Sequence, residues 1–323
     1  MSARFATLLG MLLTFTVTNS IVTKNHLSDF SSLKPSSTST WKAKQYKPII
    51  NLSINEIRAQ YLGVLGILND TTTSIKKSLL PPTPHKTNYT SYDWRNSSCI
   101  GNIQDQGRCG SCWAVSAVEV YGDRYCISQQ RKKNMKAKRI KFSALDLVAC
   151  DKLCKFITRC CRGCAGGYPS LAWEYIQRKG VVTDVCMPYN LTKSLLCPVD
   201  YCLPPLSNKV YKVKHYEKIY GGANAIKNEL VQNGPVQATF YVYEDFMHYH
   251  SGIYKHQNGR LLGLHAVKIV GFNKSYTASN TTSYWIVANS WGTQWGGMGG
   301  YFYIAENECA FEEDVYTGTP LIE

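Results

Sequence analysis

The chain has 323 residues and a mass of 36.3 kDa, with 44% hydrophobic and 18% charged content. That is enough apolar material to bury a sizeable core in one or two domains, and it excludes global disorder. The formal net charge is +14, but part of it sits in one short run and part in the N-terminal third, so it gives no ground for a nucleic acid partner. Thirteen cysteines are too many for a reducing cytosol and too few for a scaffold of disulfides alone, which indicates a secretory or lysosomal destination. Their odd number leaves at least one thiol without an intramolecular partner.

At the start of the chain, Arg4 precedes a charge-free, largely apolar run from Phe5 to Val17. A run of this length falls short of the roughly twenty residues that cross a bilayer. Residues 1–20 therefore read as a cleaved signal peptide, with an uncleaved anchor as the alternative. Residues 21–85 are Ser/Thr/Lys-rich, lack cysteine and end in Leu80-Pro81-Pro82-Thr83-Pro84, the composition of a linker. Within them Ile54, Ile57, Tyr61, Val64 and Leu65 recur near helical spacing and predict one short amphipathic helix between Asn51 and Leu68. All cysteines lie between Cys99 and Cys309, so the compact domain is expected over 86–323, with 21–85 a pro-segment or a tail. N-x-S/T triplets at Asn51, Asn69, Asn88, Asn96, Asn190, Asn273 and Asn280 agree with a secretory route.

Three later stretches carry chemistry. In Gln104-Asp105-Gln106-Gly107-Arg108-Cys109-Gly110-Ser111-Cys112-Trp113-Ala114 the two glycines Gly107 and Gly110 permit a tight turn, and Cys112 then opens an apolar run to Tyr121. A cysteine at a helix N-terminus meets unpaired N–H groups and the positive end of the helix dipole, both of which favour thiolate. Gln106 can offer a side-chain N–H to a developing oxyanion beside the Cys112 amide. The competing reading makes Cys109 and Cys112 a redox or zinc pair. It leaves unexplained His265, at the head of a β-rich run, and Asn289, which lies beside Ser290 and Trp291. Cys112, His265 and Asn289 follow one another at spacings of 153 and 24 residues, close to the known Cys, His, Asn layout of thiol proteases.

On these residues the chain resembles the papain-like cysteine proteases. It is more narrowly similar to their cathepsin B-like branch through Cys161-Arg162-Gly163-Cys164-Ala165-Gly166-Gly167-Tyr168-Pro169, Asp123-Arg124-Tyr125-Cys126-Ile127, Gly234-Pro235-Val236 and Tyr249-His250-Ser251-Gly252-Ile253-Tyr254. Thr40-Trp41-Lys42-Ala43 resembles the short propeptide of that branch. The resemblance implies an α+β, two-lobed papain-like fold: a mainly helical lobe carrying Cys112, a β-barrel-like lobe carrying His265 and Asn289, and a substrate cleft between them. It implies a cysteine endopeptidase made as a zymogen, in which Cys112 and His265 rest as a thiolate and imidazolium, Asn289 orients the imidazole, Trp291 shields that bond, and Gln106 stabilises the oxyanion. No metal or organic cofactor is called for. Protein and peptide substrates are the expected partners, and a monomer is expected.

The resemblance further implies disulfides Cys109–Cys164, Cys99–Cys126, Cys150–Cys197 and Cys186–Cys202, and leaves Cys154, Cys160, Cys161 and Cys309 unassigned. Gly166 and Gly167 would bind substrate backbone. Tyr168, Pro169, Ala266 and Thr239 would wall the pocket for the second residue before the cut, with Asp314 at its floor as an acceptor for arginine. Three departures stand out. The stretch from Cys186 to Cys202, matching the loop that in cathepsin B carries histidines and captures a substrate C-terminus, contains no histidine. Leu264 replaces a glycine before His265. Residues 131–139 form a basic insertion that reads first as a solvated face and second as a contact for an anionic glycan or surface. A non-catalytic adhesion protein built on the same fold is the remaining class, and the presence of Cys112, His265, Asn289 and Gln106 together argues against it.

Overall fold

The structure, a computed structural model, describes residues 26–66, 89–133, 137–155, 159–192, 196–197, 202, 209–277 and 281–322. Residues 26–66 contribute four short elements: α1 (Phe30–Leu33), β1 (Trp41–Ala43), α2 (Lys47–Ile50) and α3 (Ile54–Tyr61). Helix α3 is the one predicted from apolar spacing. Ser53 and Glu56 close a capping box at its start, and Ile54 and Ile57 are buried on its inner face. It stops at Leu62 in extended backbone, so Val64 and Leu65 of the predicted stripe continue as extended chain.

After β2 (Tyr92–Asp93) comes α4 (Cys112–Lys133), whose residues are buried without interruption from its start to Ile127. A helix buried on every side lies inside a core, and its charged residues Glu119, Asp123 and Arg124 are ion-paired there. Here α5 (Ala144–Cys150) and α6 (Pro169–Arg178) pack against it, and the small ribbon of β3 (Cys154–Lys155) with β4 (Arg159–Cys160) lies between them in the chain. Trp113, Tyr121, Phe142 and Trp173 form the centre of this helical core. The second half of the chain adds β5 (Val213–Lys218), α7 (Gly222–Asn233), β6 (Val236–Tyr243), β7 (Tyr249–Tyr254), β8 (Leu261–Tyr276), β9 (Thr281–Ala288), β10 (Tyr301–Ala305) and β11 (Asp314–Pro320). These join one nine-stranded sheet in the order β1-β7-β10-β9-β8-β6-β11-β5, with β2 on β8. Its own core is built on Phe240, Phe246, Trp285 and Phe302. Two cores in one α+β chain make the two lobes.

Polar groups tie the lobes together behind the cleft. Gln237 of β6 donates to the Trp113 carbonyl at 3.0 Å and to Ser116 Oγ at 2.7 Å, and accepts from Trp173 Nε1 at 2.7 Å. Lys268 of β8 reaches Asp123 at 2.6 Å and Glu119 at 3.4 Å on α4. Arg139 meets the same carboxylates at 2.6 and 2.8 Å. That contact takes Arg139 out of the solvated basic face expected over 131–139. Arg139 neutralises buried acids, Lys132 Nζ donates to the Ile322 carbonyl at 3.0 Å, and Arg131 bonds the Gln232 carbonyl. Arg131, Lys132 and Lys138 remain exposed, so the departure from a solvated face is that of Arg139; residues 134–136 and the Lys133 side chain lie outside the described residues.

The four disulfides implied by the resemblance are present, and a fifth, Cys154–Cys160, ties β3 to β4. Three thiols remain: Cys112, Cys161 and Cys309. Asn51, Asn96 and Asn273 are exposed and Asn190 partly so, while Asn69, Asn88 and Asn280 lie outside the described residues. Among the described residues no helix is long and apolar enough to cross a membrane.

Candidate active site

Cys112 is the first residue of α4, and its thiol is fully buried. The disulfide Cys109–Cys164 and the Gly110 N–H, which donates to the Cys164 carbonyl at 3.0 Å, fix the loop that delivers it. Across the cleft the Ala266 amide on β8 donates to Cys112 Sγ at 3.5 Å, which sets the sulfur beside the residue that follows His265. His265 Nε2 lies 2.8 Å from Asn289 Oδ1, and its ring stacks on Trp291 with centroids 4.7 Å apart. The Ser290 amide donates to the same Asn289 oxygen at 2.8 Å, which fixes it as the acceptor. His265 Nε2 therefore carries the proton. Its Nδ1, buried and without a partner among the described residues, is left as the base.

Gln106 is buried at the other side of the sulfur. Its Oε1 accepts from Ser290 Oγ at 2.6 Å and its backbone N–H donates to the Ser290 carbonyl at 2.8 Å. These bonds turn Nε2 toward the cleft. Tyr189 adds a brace, its hydroxyl 3.0 Å from the Gln106 carbonyl and 2.6 Å from Ser111 Oγ. Neither Ser290 nor Tyr189 was singled out in the sequence. The adjacency of Ser290 to Asn289 was its only signal, and Tyr189 had none.

The cleft is occupied by residues 58–66 of the same chain. Arg58 Nε donates to the Leu262 carbonyl at 2.7 Å, Gln106 Nε2 donates to the Gln60 and Tyr61 carbonyls at 3.0 and 3.4 Å, and Trp291 Nε1 to Tyr61 at 3.1 Å. Beyond the sulfur, Gly167 N–H donates to the Gly63 carbonyl and Leu65 N–H to the Gly167 carbonyl, both at 2.9 Å. Gly63 passes so close to the nucleophile loop that a Cβ there would stand 2.1 Å from the Gly110 oxygen. What this segment offers Cys112 is the Gly63 amide, a donor, while the Gln60, Tyr61 and Gly63 carbonyls bond to other groups.

This cover changes the charge state expected from sequence. Burial pushes the Cys112 thiol up to about 12, against the opposing pull of the Ala266, Trp113, Gly63 and Cys112 amides. Burial likewise takes His265 down to about 4, partly offset by the bond to Asn289. With the segment in place, burial favours the neutral thiol and the neutral imidazole over the ion pair expected from the resemblance.

A profile of the papain family cysteine proteases matches residues 89–319, most of the chain. The chain is a papain-family cysteine protease. Among curated relatives it is 38% identical to cathepsin B-like cysteine proteinase 2 of Haemonchus contortus over 262 residues, 71% of this chain and 72% of that protein. It is 34% identical to cathepsin B-like CP3 of Giardia intestinalis over 304 residues, 92% of this chain and 94% of that one. Among solved structures it superposes on procathepsin B S9 from Trypanosoma congolense with a TM-score of 0.71 at 33% identity, covering 88% of this chain and 94% of the other.

The remaining residues expected at the protease's substrate site divide into two walls. On the helical side Gly167 runs against Trp113, where a Cβ would come within 2.4 Å of the indole, and Gly166 has φ +108° with Leu65 of the N-terminal segment against it. Tyr168 faces Gly66. Pro169 is buried at the first position of α6, where its missing N–H leaves no bond unmade. On the sheet side Ala266 pairs with Thr239, and Thr239 with Asp314, one row across three strands. Asp314 differs from expectation in one respect. Its carboxylate is not free at the pocket end, because Lys218 Nζ holds Oδ1 at 3.0 Å.

Proposed function

We propose that Cys112 is the nucleophile, His265 the acid–base group, Asn289 its orienting partner and Gln106 with the Cys112 amide the oxyanion donors, acting on protein and peptide substrates. The observation that carries this reading is the division of labour on one imidazole: Nε2 is engaged by Asn289, Nδ1 has no partner among the described residues, and the amide of the next residue, Ala266, reaches the Cys112 sulfur. Once the cleft is open, the Cys112 proton passes to Nδ1 and the sulfur attacks the scissile carbonyl carbon. The carbonyl oxygen takes the negative charge in the place where Gln106 Nε2 now meets the Gln60 and Tyr61 carbonyls. His265 then gives its proton to the leaving amine, the thioester remains on Cys112, and water hydrolyses it with His265 as base.

Residues 1–20 are read as the signal peptide, 21–85 as the pro-segment and 86–323 as the mature enzyme, routed through the secretory pathway to a lysosome, an endocytic vacuole or the outside. The seating of 58–66 in the cleft supports the pro-segment reading. With no histidine between Cys186 and Cys202, cleavage inside chains is favoured over removal of C-terminal dipeptides. Amidating the C-terminus of a test peptide should change kcat/KM by less than about twofold. Labelling the acid-activated enzyme with an epoxysuccinyl inhibitor should add one mass increment that maps to Cys112. Modification of Cys161 or Cys309 instead would place the reactive thiol elsewhere and refute the assignment.

A further inference from the structure

The end of the sheet-side wall carries an ion pair where an arginine acceptor was expected. Side chains on directly opposed strand residues share a face, at inter-strand steps of about 5 Å. The row Ala266, Thr239, Asp314 thus leads from the residue whose amide touches Cys112 Sγ to a carboxylate roughly 10 Å away. Lys218 Nζ sits 3.0 Å from that carboxylate, and both side chains are largely withdrawn from water, at 14% and 16% exposure. The ammonium is also seated by aromatic faces, 5.9 Å from the Tyr220 ring centre and 6.0 Å from that of Tyr316, the residue paired with Lys218 across β5 and β11. A second cation stands on the opposite wall: the Arg159 guanidinium lies 4.8 Å over the Tyr168 ring.

We propose that Lys218 masks Asp314 and thereby sets the protease against a cationic side chain, and in favour of an apolar one, at the second residue before the scissile bond. The proposal rests on the reading of the Ala266–Thr239–Asp314 row as the wall of that subsite. An incoming guanidinium must displace an ammonium already paired with the carboxylate and packed on two rings, and it does so in the field of Arg159. An apolar side chain lies over Ala266 and Thr239 and leaves the pair intact.

The test compares kcat/KM for Z-Phe-Arg and Z-Arg-Arg coumarin amides in acid-activated, active-site-titrated full-chain enzyme. The wild type should favour Phe-Arg strongly, Lys218→Gln should raise the Arg-Arg to Phe-Arg ratio by roughly tenfold or more, and Lys218→Arg should keep the wild-type ratio. In Lys218→Gln/Asp314→Ala the gain should disappear. A ratio unchanged within about twofold in Lys218→Gln overturns the masking while leaving the subsite reading standing. A gain that survives removal of Asp314 shows that the row does not read that residue, and the subsite assignment fails with it.

Discussion

Ser290 Oγ donates to Gln106 Oε1 at 2.6 Å across a sequence separation of 184 residues, and this bond decides which way the Gln106 amide points. Its N–H is then fixed before charge develops on the substrate oxygen, as electrostatic stabilisation requires. Ser290→Ala should lower kcat by roughly tenfold and leave KM within about twofold, because the donor is disoriented and not removed. Steady-state kinetics decide it. A raised KM at unchanged kcat would mean that Ser290 supports ground-state binding.

Gly63 has no room for a side chain. A Cβ would stand 2.1 Å from the Gly110 carbonyl oxygen and 2.4 Å from its carbon, both backbone atoms that cannot swing aside. Gly63→Val should therefore lift the N-terminal segment from the sulfur and give full-length protein that reacts with a thiol inhibitor at neutral pH. Labelling of the variant at the wild-type rate would show that the segment does not hold the cleft through this contact.

Acid release follows from which groups the segment buries. His248 lies under the Phe30 ring, centroids 4.9 Å apart, and its Nδ1 has no partner among the described residues. Burial lowers its pKa from 6.5, with a backbone bond at Lys44 and the charges of Asp245 and Glu244 acting against the shift. A group depressed in the docked state stabilises docking above its free pKa, and that contribution fades as pH falls below about 6.5. Glu244 is buried too, which alone would raise it, but Arg260 and Ser28 outweigh burial and hold it below 4.5. Carboxylates such as this one weaken docking only below about 4.5, so release between these limits belongs to histidine. His248→Leu should move the midpoint of autoactivation down by roughly half a pH unit or more. An unmoved midpoint would place the trigger in the carboxylates instead.

Cys112, Gln106, His265 and Asn289, which the structure gathers around one cleft, were legible as a group from the glycine-rich turn before Cys112 and from the spacing of the cysteine, histidine and asparagine. Helix α3 was legible from its 3.6-residue spacing as far as Tyr61. Leu62-Gly63-Val64 was not, since its extended form is set by bonds to Gly167 and Leu264 on both walls of the cleft. Lys218 gave no signal for the same reason: its partner Asp314 lies 96 residues away, and only the pairing of β5 with β11 brings them together. Arg139 read as one more charge in a basic run until Glu119 and Asp123 appeared on the facing turns of α4.

One sulfur, that of Cys112, does the chemistry, and the fold around it does not depend on it. Wild type and Cys112→Ala, both freed of the N-terminal segment by the same added protease and matched by circular dichroism, should be assayed on the same internally cleaved peptide. Hydrolysis by the variant should fall by about 10⁴-fold or more with the wild-type spectrum retained. Turnover within about a hundredfold of wild type, in material free of wild-type contaminant, would contradict the account.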